Sequence, residues 1–428
     1  MNLRTGISKT KESKPSIMRS KLAWTFGILC IYFALLSIPL FGFPGSIYYL
    51  DDPLSLFRVI SASRLGSLAE FGILPIVLSI VIFQILIGLR LIKVDFTKKE
   101  DRKLYAIGTK VLAIVLTIAF ALVFSFSGIY GEGISIISKL IILVQLLAAG
   151  FVIILMDELL QRGYGLGSGT SLFILASVCY NIFKGMLSLH QETLSGFMWY
   201  EGSILAFFQG IGRGDLLTPF YNPYKTYDFV DFLLLFVVFA IVIYFISIKI
   251  EIPAQSKKDD IPTRYPIRSL YTFYVPVILS SILFATLGFI STLISGSSPR
   301  GFFGIFFPPY GPEKIVQKPS LVVGYIIMMI LFCGIFSRIW YITAGMDSLS
   351  VAKQFLNKDM LIPGFREDPK IVQKYLNQYI PTAAWLGGFF IGFLASIADF
   401  LGPLGTGTGV LVAICIIREY YDIIYSKL

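Results

Sequence analysis

Ten stretches of this chain are apolar over about the 20 residues that a helix needs to cross a bilayer. They fall near 22–41, 71–91, 104–126, 134–156, 170–188, 229–249, 267–294, 320–344, 379–399 and 405–425. Backbone N–H and C=O groups find no partner in hydrocarbon, so such runs are confined to helices or closed barrels. Barrel strands alternate polar and apolar positions over about ten residues. These runs are continuously apolar, so the expectation is an all-α polytopic membrane protein with ten transmembrane helices. Charged residues make up only 14% of the chain, against about 25% in soluble domains.

Positive charge sets the expected orientation, because cytoplasmic loops retain Lys and Arg. Residues 1–21 form a basic tail with Arg4, Lys9, Lys11, Lys14, Arg19 and Lys21. The connections after spans 2, 6 and 8 are also basic, whereas the one after span 3, GIYGEG, carries no cation. The expectation is a multi-pass protein of the cell membrane with both termini cytoplasmic. The first span lacks an A-x-A cleavage pattern and is expected to be retained. Cys30, Cys179, Cys333 and Cys415 each lie inside an apolar run and read as small packing residues. With one histidine, His190, no His-based metal centre is expected, nor any other cofactor. GYGLGSG at 163–169 lacks the GK[ST] ending of a phosphate loop.

Two stretches share a beginning. LGSGTSLFI (166–174) opens span 5 and LGTGTGVLV (404–412) opens span 10, with four identities in nine positions. Span 5 runs outward and span 10 inward, so each closes a set of five spans of opposite sense. That is the pattern of an inverted five-plus-five repeat, whose working site lies between the halves. The halves would be 22–190 and 229–428, joined by an external hinge loop at 191–228. Ile174 and Val412 occupy the same place in each repeat, and together they would contribute to an apolar constriction.

Residues 53–65, PLSLFRVISASRL, are too short to span. They mix Leu54, Phe57 and Ile60 with Ser61, Ser63 and Arg64. They read as a short re-entrant or interfacial helix, or as a stopper in an outer funnel. Buried ionisable groups mark pumps and transporters. Here the candidates are Arg338 and Asp399, with Asp157 and Glu158 as interfacial carboxylates near Arg162 and Gln84 as a neutral polar residue able to bond across helices. The connections IPTRYPIRSL and IPGFREDPKIVQKYL are basic and Pro-rich, which suits an anionic partner.

Several stretches together resemble the SecY family of protein-conducting channels, in its archaeal and eukaryotic branch. They are ISASRLGSLAEFGILPIV, MDELLQRGYGLGSGTSLFI, YPIRSLYTFYVPVIL and IPGFREDPK followed by YIPTAAWLGGFFIGFLASIADFLGPLGTGTGVL. The resemblance runs in order along nearly the whole chain. It implies the central pore subunit of a translocase, a passive channel for unfolded secretory polypeptides that also releases membrane helices sideways into lipid. By that resemblance the pore ring would be Ile73, Val77, Thr170, Ile174, Ile278 and Val412, with a plug containing Leu54, Phe57, Ile60, Ser61 and Arg64. A lateral gate would run between spans 2 and 7, with Gln84, Val275 and Ser281. Lys257, Lys258, Arg264, Arg268, Arg366 and Lys370 would meet the ribosome. Small single-span subunits of SecE/gamma and beta type, signal-bearing nascent chains and membrane lipid are the implied partners, not DNA. No enzyme activity is implied.

Two departures from that family stand out. Thr170 is polar where an aliphatic residue is usual, which suggests a hydroxyl bonded back to its own helix. Phe273 and Tyr274 stand where Ser and Asn are usual. The rival reading is a secondary transporter of a small solute on an inverted-repeat fold, against which the sparse interior charge counts. A member reduced to an insertase or scaffold is a third.

Overall fold

A computed structural model describes residues 14–42, 55–92, 94, 96, 98–128, 130, 134–194, 197–215, 217–220, 227–256, 262–268, 274–295, 301–308, 318–357, 360–361, 368–402 and 404–425. The first half holds α1 (Lys14–Ser37), α2 (Ser55–Ile60), α3 (Leu74–Gly88), α4 (Lys99–Phe126), α5 (Ile136–Gln161) and α6 (Gly169–Leu187). A connection comes next, with strands β1 (Gln191–Leu194) and β2 (Phe197–Tyr200) and helices α7 (Ser203–Arg213) and α8 (Leu217–Phe220). The second half holds α9 (Phe229–Ser247), β3 (Lys249–Ser256), β4 (Pro262–Arg268), α10 (Val275–Ser295), α11 (Pro319–Thr343), α12 (Ser348–Asn357), β5 (Met360–Leu361), α13 (Pro369–Leu401) and α14 (Gly407–Tyr425).

Ten of these helices, all but α2, α7, α8 and α12, correspond to the ten expected spans. Seven are long and apolar enough to cross a bilayer by length and composition. The other three are α3 and α10, whose apolar stretches are shorter, and α14, which carries Arg418, Glu419 and Asp422 in its second half. At 15 residues, α3 covers about 22 Å at the usual rise, less than a hydrocarbon core. Its missing length is made up by the irregular segment 61–73, buried inside the protein, where non-helical backbone is tolerated.

Several boundaries differ from the sequence reading. α1 begins at Lys14, so the end of the supposed tail is helical. α13 begins at Pro369, ten residues before the expected 379, and passes through Pro381. Its added turns bury Val372, Leu376 and Ile380 against Tyr341, Val351 and Ala352 in a second small core. That apolar face outweighs the proline's lost hydrogen bond. The basic connections after α9 and α11 hold strands among the described residues. β3 pairs antiparallel with β4 and with β5, giving the order β4-β3-β5. The described residues of the connection 191–228 hold an antiparallel hairpin and two helices, and Arg213 lies 4.9 Å over the ring of Trp199.

The main core lies between the halves and draws on all ten long helices, while α9 sits at the periphery with only Val238 and Val242 buried. Outward faces such as Phe236 and Phe239 on α9 are exposed and apolar, as lipid contact requires.

Candidate functional site: a plugged pore between two halves

The repeated motif is built the same way twice. Gly167 and Gly405 both adopt left-handed backbone, with φ of +66° and +91°. The next residue caps the helix: Ser168 Oγ accepts from Ser171 N–H at 3.2 Å, and Thr406 Oγ1 accepts from Gly409 N–H at 2.9 Å. Thr170 N–H and Thr408 N–H, two residues on, donate to buried carboxylates of the preceding long helix. Thr170 binds Asp157 Oδ1 at 3.0 Å and Thr408 binds Asp399 Oδ1 at 2.7 Å. Helix starts leave N–H groups unpaired and favour negative charge, so each carboxylate meets both needs. Gly169 and Gly407 make room for it. A Cβ at 407 would stand 1.9 Å from the carbonyl carbon of Ala398, and one at 169 would stand 2.5 Å from Asp157 Oδ1.

This corrects two expectations. The hydroxyl of Thr170 points to Asp157 Oδ1 at 3.4 Å, not back to its own helix. Asp157 is buried beneath that helix start, whereas Glu158 is the interfacial member, bound to Arg162 at 2.7 Å and Lys110 at 3.1 Å. Asp399 is likewise fully bonded, with Tyr325 O–H at 2.7 Å and Thr408 O–H at 2.5 Å. Arg338 donates to Tyr341 Oη. These groups hold the helices in place.

The two matched helices direct Ile174 and Val412 into the core, where both are fully buried. Ile73, Val77 and Ile278 are buried in the same cluster. Thr170, less buried, lines a cavity of about 630 Å³ beside them, together with Val77 and Ile278. The plug helix α2 packs on α6 and α10. Its Val59 and Ile60 belong to the cluster, and Val59 Cγ1 lies 3.3 Å from where a Cβ on Gly409 would be. Leu54 lies outside the described residues, as does the side chain of Phe57.

The segment after α2 is tied down. Arg58 and Glu70 form a buried ion pair at 2.9 Å. Glu70 Oε2 also accepts from Gly66 N–H, and Tyr32 O–H donates to Ala62 O at 3.0 Å. Ser61 and Ser63 hydroxyls are 2.8 Å apart, and Ile73 N–H donates to Ser61 O at 2.8 Å. Arg64 reaches the carbonyl of Leu36 at 3.5 Å. Gly72, at φ +50°, passes so close that a Cβ would stand 2.2 Å from the Ser61 carbonyl oxygen.

The seam between α3 and α10 is in contact and shut. Gln84 is fully buried on α3, and its amide has no hydrogen-bond partner among the described residues. Ser281 is buried on α10, and Val275 lines the cavity. Sequence reasoning missed a polar line across the cavity. Ser168 and Ser171 hydroxyls are 2.7 Å apart, Ser171 and Tyr274 hydroxyls 3.0 Å, and Tyr274 O–H donates to Glu419 Oε2 at 2.5 Å. Tyr420 O–H also reaches the carbonyl of Leu166 at 3.3 Å. Both links join the second half to the start of α6. The available hint was an acidic, Tyr-rich end, REYYD, on an otherwise apolar run.

Among the loop cations, Lys370 is exposed at the start of α13, its N–H donating to Asp368 at 2.9 Å. Arg264 and Arg268 lie on β4, their side chains outside the described residues, as are Lys257, Lys258 and Arg366 altogether.

The SecY family profile matches residues 67–421. The chain belongs to the SecY family. Protein translocase subunit SecY of Pyrococcus furiosus is 33% identical over 97% of this chain and 92% of its own length. The fold superposes on a solved protein-conducting channel with a TM-score of 0.82 and 29% identity, covering 96% of this chain and 92% of that one. Sec61 in the canine ribosome-channel complex from the endoplasmic reticulum gives 0.79 and 28%, with the same coverage. SecY-family membership favours the channel reading over the solute transporter, and the inverted repeat of five and five helices is the architecture of that fold.

Proposed function

We propose that this chain is the pore subunit of a protein translocase, carrying unfolded secretory polypeptides across the membrane and releasing apolar helices through the α3–α10 seam. The observation that carries the reading is the burial of Ile73, Val77, Ile174, Ile278 and Val412 with plug residues Val59 and Ile60 in one hydrophobic core to which both halves contribute, with Val77, Thr170 and Ile278 lining one cavity. A passing polypeptide presents every side-chain type, so specific polar contacts cannot line its path. Aliphatic side chains exclude water and ions by dewetting yet yield around a chain. An apolar segment that leaves sideways gains roughly 25 cal/mol per Å² buried in lipid.

The motif geometry supports assigning Thr170 to this ring through its methyl group, since its polar atoms are engaged by Asp157. The excess of Lys and Arg in the N-terminal tail and in the connections after α3, α9 and α11 supports cytoplasmic termini. On that side the basic connections after α9 and α11 meet a ribosome through Lys257, Lys258, Arg264, Arg268, Arg366 and Lys370. Single-span subunits pack around the halves, and the driving force comes from a partner, with no covalent chemistry in the pore.

Site-specific photo-crosslinking tests this. A photoreactive residue replaces Ile278 in one variant and the lipid-facing Phe236 in another, with the small subunits co-expressed. Ribosomes carrying a stalled secretory chain are added. The expected result is a crosslink to the nascent chain from 278 and none from 236. Equal yields, or none at 278 with ribosomes bound, sink the pore assignment.

A further inference from the structure

Helix α7, in the connection between the halves, is turned the wrong way round for a helix in water. A helix on a water-facing surface points its apolar stripe inward. α7 does the reverse. Its buried residues are the small ones, Ser203, Ala206 and Gly210. Phe208 and Ile211 point away from them and are exposed, Phe208 by 65%. The neighbouring elements add to this surface. Phe197 on β2 and Phe220 on α8 are exposed, and Leu217 on α8 is 83% exposed. Single exposed apolar side chains are ordinary, but a group of them marks a contact surface.

The way α7 joins the long helices says what covers it. It packs against both α6 and α9. Phe207 stacks on Phe229 with ring centres 4.1 Å apart. Phe229 meets Phe232 at 5.5 Å, and Phe232 meets Phe236 at 5.1 Å. A continuous row of rings thus leads from α7 onto the exposed apolar face of α9, which is the face turned to lipid. The polar side of α7 ends in Arg213, which is exposed. Its guanidinium lies over the rings of Trp199 and Phe197, at 4.9 and 5.9 Å. The nearby carboxylate of Asp215 is taken by Thr218, whose hydroxyl donates to it at 2.7 Å.

We infer that α7 is a membrane-interface anchor. Its apolar face rests in the boundary between lipid headgroups and acyl chains, at the end of α9 away from the β3–β4–β5 sheet, and Arg213 pairs with lipid phosphate. Helices that lie in this plane carry an apolar face on one side and a cationic or polar face on the other. Arginine suits the edge, since its stem lies along apolar surface while its planar head binds phosphate through two N–H groups. The inference depends on the chain's place in a membrane and not on translocation. It has a mechanical consequence. α7 touches the last helix of the first half and the first helix of the second, so the anchor fixes the depth of the connection between them. Any movement of the halves then turns about a point held at the lipid surface.

Electron paramagnetic resonance on the whole chain, with its small subunits in phospholipid vesicles, tests this. Cys30 and Cys179, the two cysteines not fully buried, are changed to Ser. Nitroxide side chains then replace Phe208 and Ile211 one at a time, with the lipid-facing Phe236 and the exposed Lys370 as references. Collision with oxygen, which concentrates in lipid, is compared with collision with a water-soluble nickel chelate. The oxygen-to-nickel ratio at 208 and 211 is expected to approach that at 236 and to exceed that at 370 several-fold. Phe208→Asp, which puts a charge where hydrocarbon is expected, should lower the ratio at 211 and leave 236 unchanged. A ratio at 208 and 211 equal to that at 370 would place α7 in water and overturn the inference. Labels reached by neither collider would mean that a small subunit or a second copy covers α7, and would overturn it too. So would a ratio at 211 that Phe208→Asp does not move.

Discussion

Gly169 and Gly407 lack a side chain for the same reason. Each begins a pore helix directly beneath the carboxylate-bearing turn of the helix before it. Gly407→Ala places a methyl group 1.9 Å from the Ala398 carbonyl carbon, so α14 must shift. A loss of about 3 kcal/mol is expected, the upper range for overpacking, read as a lower midpoint of thermal unfolding in detergent. Gly212→Ala is the control. Nothing lies within 4 Å of that position on α7, and the change is expected to be neutral or stabilising by under about 1 kcal/mol. Asp399→Ala leaves the Thr408 N–H and the Tyr325 hydroxyl without their acceptor, expected to cost about 1–3 kcal/mol in the same measurement. At this scale the two glycines and threonines stand out in the sequence as a repeat. Their carboxylate partners do not, because Asp157 and Asp399 sit at different distances before the motif and only the fold brings them under it.

Among the elements, the plug is held less by its own helix than by residues 61–73 beyond it. Six residues of α2 make little more than one turn, too few to be stable alone. The Arg58–Glu70 pair closes the segment on itself. Glu70→Gln leaves Arg58 partly buried without its counter-charge, and breaking such a pair typically costs about 3–5 kcal/mol. The plug is then expected to leave its seat more often. A cysteine at Ser61, labelled by a membrane-impermeant thiol reagent, should react several-fold faster in the Glu70→Gln background. An unchanged rate would mean that Val59, Ile60 and the remaining hydrogen bonds hold the seat without the ion pair. The long helices are readable from apolar runs because lipid imposes length and composition together. The early start of α13 is not. Pro381 and the charges before it resemble a helix start, and the apolar face of Val372, Leu376 and Ile380 has meaning only once α12 is packed against it.

For the whole molecule, the question is what keeps two halves with an aliphatic interface from parting. Burial does most of it, and Tyr274 and Tyr420 add polar links on one side. Tyr274→Phe keeps the ring and deletes the hydroxyl that joins Ser171 to Glu419. A closed state weaker by about 1 kcal/mol, the usual net worth of a hydrogen bond, is expected. It should appear as more frequent openings in planar-bilayer recordings of the reconstituted complex. Tyr420→Phe should act in the same direction. Unchanged opening in both variants would leave apolar burial as the sole clasp. The inverted repeat itself is legible from nine residues in each half and the sign of the loops. The links across the halves are not, since Tyr274 stands out only as a departure from the family until α6 and α14 are placed around it.

The two carboxylate caps also bear on how the protein is made. Asp157 precedes Thr170 by 13 residues and Asp399 precedes Thr408 by nine. Each cap can therefore close as soon as the last helix pair of its own half has left the ribosome. Contacts so near in sequence form early and fast. The first five helices can thus reach a finished arrangement while the second five are still being synthesised. The bonds of Tyr274 and Tyr420 to the first half come last, and they record that assembly is complete.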